Sequence, residues 1–273
     1  MNRIILVPTD FSHNAWVATQ YAAHLALEKK KKLILLHAFR PFYSSFTSIG
    51  HNIQVLEEAT KIVNAEMDLI GDKLKAEFPT LDYEGICLEG NLTDVIARKS
   101  KEISIELIIM GTKGATGLRY ALMGSNAFDV INKSQIPVLA VPNESRYKLE
   151  KVGILSNYKN SEISVLNSFI KIVGNTFAGV LLHVHEEDSE VEQTYAEAWR
   201  ELVKEESGLQ ELKYKVGSGE DIPAVINQMM DDEDVDLLLV TNNARSFMKS
   251  LFNKDMVKAL ALKPQVPILF IKV

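Results

Sequence analysis

Gly111, Gly114, Gly124 and Ser125 are the residues whose types and spacing point most directly to chemistry. They lie in the run Gly111-Thr-Lys-Gly114-Ala-Thr-Gly117-Leu-Arg-Tyr-Ala-Leu-Met-Gly124-Ser125-Asn126. The run begins where the apolar segment 107–110 ends, and it finishes where a helical pattern over 125–133 begins. Backbone N–H groups at a glycine-rich turn and at a helix N-terminus point at anions and bind phosphate. Glycine lets phosphate oxygens reach the backbone and tolerates positive φ. The Ser125 hydroxyl can donate to a phosphate or cap the helix. Lys113 and Arg119 can pair with phosphate or remain solvated. Glycine loops also occur as plain turns, so the loop alone leaves both readings open.

Other phosphate motifs are missing. No Gly-Lys-Ser/Thr ending closes the loop, and no G-x-G-x-x-G follows the first strand, where Pro8-Thr9-Asp10 stands instead. A P-loop ATPase and a dinucleotide-dependent dehydrogenase are therefore disfavoured. Two histidines two apart, His183 and His185, would face one side of a strand, but no third ligand suggests itself. His37 and His183 hold equivalent positions in a repeat described below, which favours a role in the fold or in a crevice wall. His13 is expected to begin a helix rather than to catalyse.

The elements that must position the loop follow from hydropathy. Short apolar runs at 4–7, 33–38, 83–88, 107–110 and 136–141 read as strands. Between them lie helical patterns at 14–30, 54–78, 92–100 and 125–133, with residues 41–53 read as a loop and Asn91 as an N-cap. The strands are apolar without alternation. Strands of a parallel sheet read this way, because crossover helices cover both faces. Ligands of such sheets bind outside the carboxyl ends of the strands.

The second half repeats the first. Residues 111–142 align without a gap to 241–272, and the period is far longer than that of solenoid repeats. Domain duplication follows, with domains 1–146 and 147–273. In register, Gly111 becomes Thr241, Gly114 becomes Ala244, Gly124 becomes Lys254, Ser125 becomes Asp255 and Asp10 becomes Asn157. A carboxylate in place of Ser125 would repel a triphosphate, and side chains in place of glycine would block its approach. The second copy reads as degenerate.

Bulk properties narrow the partners. The 273 residues carry a net charge of −6, which disfavours nucleic acid or an anionic membrane as main partner. No apolar segment approaches the roughly 20 residues of a membrane span. The single cysteine, Cys87, excludes an intrachain disulfide and suits a reducing cytosol. Cys87 itself reads as a small strand residue. No signal peptide is visible, and the expected location is the cytoplasm.

The spacing Gly111-x2-Gly114-x9-Gly124-Ser125 resembles the nucleotide motif of the universal stress protein family, in its ATP-binding branch. So do Ile4-Ile-Leu-Val-Pro-Thr-Asp10-Phe-Ser12, Leu35-Leu-His37-Ala38, Gly90-Asn-Leu-Thr-Asp-Val-Ile96 and Ile136-Pro-Val-Leu139. The resemblance covers nearly all of residues 1–142 and implies a tandem member. It implies an α/β, Rossmann-like fold of two tandem open five-stranded parallel sheets with helices on both faces, in strand order 3-2-1-4-5.

By that resemblance Asp10 and the backbone of Pro8 and Thr9 contact adenosine, Ala38 meets adenine, and Met110 and Gly111 wall base and ribose. Gly114, Gly124, Ser125 and Asn126 hold phosphates, with Lys113 and Arg119 nearby. The implied cofactor is ATP, AMP or ADP, with Mg²⁺ held mostly by phosphates and waters. The expected function is a nucleotide-binding stress-response or regulatory protein, non-catalytic or weakly hydrolytic, signalling to an unnamed protein partner. A slow ATP hydrolase, or a structural pseudo-dimer without nucleotide, stays open. The apolar fifth strands at 138–141 and 268–271 would be exposed sheet edges, a hazard if left bare. They are expected to pair as an intrachain pseudo-dimer, with a homodimer of chains left open.

Overall fold

The computed structural model describes residues 3–43, 48–112, 124–185, 190–241 and 266–272. The chain forms two compact units, Met1–Asn143 and Glu144–Val273. Each is an α/β unit, and each is described by itself.

In the first unit, strands β1 (Ile4–Pro8), β2 (Lys32–Phe39), β3 (Tyr83–Glu89), β4 (Ile105–Gly111) and β5 (Val138–Val141) run in the order β3-β2-β1-β4-β5. Every pairing is parallel, and β1 lies at the centre, matched to β2 by Ile4↔Lys32 and to β4 by Leu6↔Ile108. Ile5, Leu6, Leu35, Leu36, Ile108 and Ile109 are completely or almost completely buried. This two-sided burial is why the strands read as unbroken apolar runs. Helix α1 (His13–Glu28) packs its small apolar residues Ala15, Ala18, Ala22 and Ala26 into the core. Its start is fixed by Ser12, whose Oγ accepts from the Ala15 N–H at 3.2 Å. His13 opens this helix.

Helix α2 runs from Ile49 to Glu77. The loop expected over 41–53 therefore ends five residues early, because Ser48 caps the helix by accepting from the His51 N–H at 3.3 Å. Local capping here overrides the poor helix propensity of Gly50 and Asn52. Helix α3 (Leu92–Glu102) starts after Asn91 as expected. The Asn91 side chain makes no capping bond, however, and its Nδ2 donates to Asp94 at 3.2 Å. Helix α4 spans Ser125–Lys133 with Gly124 at the N-cap position, so Ser125 is the first helical residue and not the cap. Cys87 is only partly buried in β3. Burial, and then the charge of Asp68, push its thiol above the usual range.

In the second unit, β6 (Lys151–Leu155), β7 (Ala178–His185), β8 (Leu212–Ser218), β9 (Leu237–Thr241) and β10 (Ile268–Ile271) run in the order β10-β9-β6-β7-β8, again parallel. This is the first unit's order repeated. Helices α5 (Asn160–Val173), α6 (Glu190–Ser207) and α7 (Ile222–Asp232) fall between the strands as α1, α2 and α3 do in the first unit. Among the described residues, no helix is long and apolar enough to cross a membrane.

Candidate functional site

A cavity of about 300 Å³ opens at the carboxyl ends of β1, β2 and β4 in the first unit. Nine of the sequence-named residues line it: Pro8, Thr9, Asp10, Ala38, Met110, Gly111, Gly124, Ser125 and Asn126. The other three, Lys113, Gly114 and Arg119, lie outside the described residues.

The floor is a built turn after β1. The Thr9 N–H extends the sheet by donating to the Leu36 carbonyl at 2.9 Å. The Phe11 N–H then folds back onto Thr9 Oγ1 at 3.1 Å, with Phe11 at φ 62°, a left-handed conformation rare for an aromatic residue. Asp10 Oδ1 accepts from the Ser12 N–H at 3.1 Å and from the Ser12 hydroxyl at 2.5 Å. His37 braces the turn from β2. A carbonyl can only accept, so His37 Nδ1 carries the proton it donates to the Thr9 carbonyl at 2.8 Å. The His37 ring stacks on Phe11 with centroids 4.4 Å apart.

The opposite wall is closed by the residues that flank the glycine loop. Thr112 donates its N–H to the Val141 carbonyl at 3.1 Å, and its own carbonyl accepts from the Gly124 N–H at 2.6 Å. The two ends of segment 113–123 are thereby held together. α4 begins directly after this bond, with a glycine at its cap position, no side-chain capping bond and no acidic residue in its first turn. Its N-terminal N–H groups and the positive end of its dipole face the cavity through Ser125, Asn126 and Ala127, which line it. Among the described lining residues Asp10 is the one carboxylate. The arrangement offers an anion-attracting end at α4 and an end at Pro8–Asp10, Ala38 and Met110 that combines apolar walls with backbone polar groups.

Asn14 and Thr112 were not singled out by their sequence context. Both are buried, and a lone polar residue in a helix start or after a strand carries no periodic signal. The wall role of His37 was legible through its repeat with His183. That repeat holds atom for atom in the second unit. The Ser156 N–H donates to the Leu182 carbonyl at 2.9 Å, the Tyr158 N–H to Ser156 Oγ at 3.2 Å, and His183 Nδ1 to the Ser156 carbonyl at 2.8 Å. Tyr158 takes φ 58° and packs on His183 at 4.3 Å, as Phe11 does on His37. Of the in-register counterparts of the loop residues, Ala244, Lys254 and Asp255 lie outside the described residues, and Thr241 ends β9. Among the described residues no cluster of three His, Cys, Asp or Glu could hold a metal ion.

Comparison with known proteins gives a consistent result. Residues 1–142 match the model of the universal stress protein family. The chain is 29% identical over 158 residues to universal stress protein MJ0577 of Methanocaldococcus jannaschii, covering 53% of this chain and 98% of that protein. It is 29% identical over 143 residues to universal stress protein YxiE of Bacillus subtilis, covering 50% of this chain and 97% of that one. Over nearly its full length it shares the fold of a universal stress protein from Archaeoglobus fulgidus, with TM-score 0.66 and 19% identity, covering 98% of this chain and 96% of that chain.

Proposed function

Since the chain belongs to the universal stress protein family, we propose that it is a tandem member whose first unit binds one adenine nucleotide and acts as a regulatory, non-catalytic or weakly hydrolytic stress-response protein. One observation carries the reading. Nine of the residues that the glycine-loop spacing and the strand ends single out line one cavity, with an uncapped helix N-terminus at one end and the braced Pro8–Asp10 turn at the other. The phosphates would lie against the first turn of α4, where Gly124, Ser125 and Asn126 offer N–H groups and a hydroxyl. Lys113, Gly114 and Arg119 belong to the same loop in sequence. The nucleoside would lie against Thr9, Asp10, Ala38, Met110 and Gly111.

A nucleotide fits the residues present: the cavity has room, a dipole for anions and apolar walls for a base. Mg²⁺ would be held by the phosphates and water rather than by a protein cage. ATP, ADP and AMP share the nucleoside end and differ only in how far they extend along α4. Titration calorimetry with each of the three tests the reading. It expects a stoichiometry near one per chain, and two equivalent sites or no heat of binding would contradict it.

A further inference from the structure

The two strand-end turns are built alike, yet the third residue of the helix that follows differs in a way that bears on the crevice. Counting from the positive-φ residues, Phe11 and Tyr158, and from the helix starts, His13 and Asn160, the residue in register with Ala15 is Glu162. Ala15 lines the cavity of the first unit. Glu162 is a carboxylate of which only 4% is exposed. Its Oε2 accepts from the Ser156 hydroxyl at 2.6 Å, and its Oε1 accepts from the Asn157 N–H at 2.8 Å. Ser156 and Asn157 are the counterparts of Thr9 and Asp10.

A glutamate at the third helical residue commonly bonds back to the N-cap N–H. Here the cap is Lys159, whose backbone also bonds the carboxylate, and Glu162 reaches beyond that capping bond to Ser156 and Asn157 at the end of β6. The turn is covered further by α6. Trp199 and Tyr195 lie 6.3 and 5.8 Å from the Tyr158 ring, and Trp199 is buried.

We propose that Glu162 is an internal occupant of the second unit's crevice: its carboxylate fills the position that Ala15 leaves open in the first unit and takes the hydrogen-bond donors of the strand-end turn. The second unit is thus closed to a nucleoside at its β6 end, independently of the residues that replace the glycines of the loop. Removing the carboxylate opens a site for an uncharged nucleoside, since the replacements of Gly114 and Gly124 stand at the phosphate end and only Thr241, in register with Gly111, falls at the nucleoside end. The inference concerns the second unit, and its choice of a nucleoside rests on the reading proposed for the first.

The test uses the full chain and adenosine as probe. The protein has two tryptophans, Trp16 and Trp199, so Trp16→Phe leaves Trp199 as the only indole, beside the turn in question. In that background Trp199 fluorescence should not respond to adenosine. Adding Glu162→Ala should produce a saturable response, and the isosteric Glu162→Gln should not. A response without any change at Glu162, or from the Gln variant, would overturn the proposal, as would silence from a folded Ala variant. If alanine unfolds the unit by circular dichroism, Glu162→Ser takes its place with the same expected result. The reciprocal change, Ala15→Glu, should weaken ATP binding to the first unit at least about tenfold. Retained affinity in Ala15→Glu would count against the plug. A wild-type chain that does not bind ATP would sink only the nucleotide reading, because the Trp199 titration decides the plug by itself.

Discussion

A Cβ placed on Gly111 would lie 2.8 Å from Asn14 Nδ2 and 3.0 Å from the Asn14 backbone oxygen. The glycine at the end of β4 is therefore needed for the approach of the first turn of α1, in addition to any approach by a ligand. The backbone oxygen cannot swing aside as a side chain can, so any larger residue must push the helix start. Gly111→Ala is expected to destabilise the protein by about 1–3 kcal/mol through overpacking. Denaturant melts of both proteins check this. An unchanged midpoint would mean that α1 shifts freely and that Gly111 serves the ligand alone. In the second copy the same register carries Thr241 and Ser161, a larger residue matched with a smaller one.

That contact shows where sequence reading stops. The strands were legible because two-sided burial makes them unbroken apolar runs, as in 4–7 and 107–110. The crevice was legible because Asp10, Ala38 and Gly111 all fall where such runs end. The start of α2 was missed because Ser48 is a single capping residue followed by the weak helix formers Gly50 and Asn52. Ser125 has the residue type of a cap, but Gly124 takes that place and its backbone bond to Thr112 sets the helix start. Asn14 meets Gly111 far along the chain, while Glu162 bonds Ser156 and Asn157 nearby in a way that hydropathy does not mark. Only alignment of the two copies beyond Asn157 would have set Glu162 beside Ala15.

His37 and His183 brace equivalent turns through equivalent bonds to Thr9 and Ser156. Replacing either by alanine removes the donor to a carbonyl and the ring beneath a residue held at positive φ. Each change should lower stability by about 1–3 kcal/mol, the scale of leaving a part-buried polar group unsatisfied. The two should differ in function. His37→Ala should also weaken nucleotide binding, whereas His183→Ala should leave it unaltered. Paired denaturation and calorimetry measure both effects, and an equal loss of affinity in the two variants would contradict the assignment to the first unit.

Burial pushes the Glu162 carboxyl above its usual range, against the opposing hydrogen bonds from Ser156, Asn157 and Lys159 and the charge of Lys159. For an acid whose pKa is raised on folding, the folded state binds the proton more tightly than the unfolded chain. The stability from that group is fully present below the unfolded value of about 4.3 and is lost as pH rises through the raised folded value. Glu162→Gln removes this dependence. The melting temperature of the Gln variant should therefore gain on that of the parent as pH rises from about 4 to neutrality. A difference constant across that range would show that the carboxyl is not raised.

Catalysis is the remaining division between the two readings of the first unit. Phosphoryl transfer to water needs a group that orients the nucleophile and charge stabilisation around the γ-phosphate. Asp10 is the carboxylate among the described lining residues, and its Oδ1 already accepts two bonds from Ser12. It stands at the β1 end of the cavity, where the nucleoside is proposed to lie, while the phosphates are proposed to lie along α4. An Asp10 carboxylate so placed would shape the nucleoside pocket and would not reach a reacting phosphate. ATP turnover should fall far below the roughly 1–100 s⁻¹ of dedicated phosphoryl-transfer enzymes. Asp10→Asn, which copies the Asn157 of the second unit, should weaken nucleotide binding and leave the residual turnover of bound ATP unchanged. A single-turnover assay on preloaded protein separates the two effects. Loss of turnover at full occupancy in Asp10→Asn would make Asp10 a catalytic residue and return the hydrolase reading to first place.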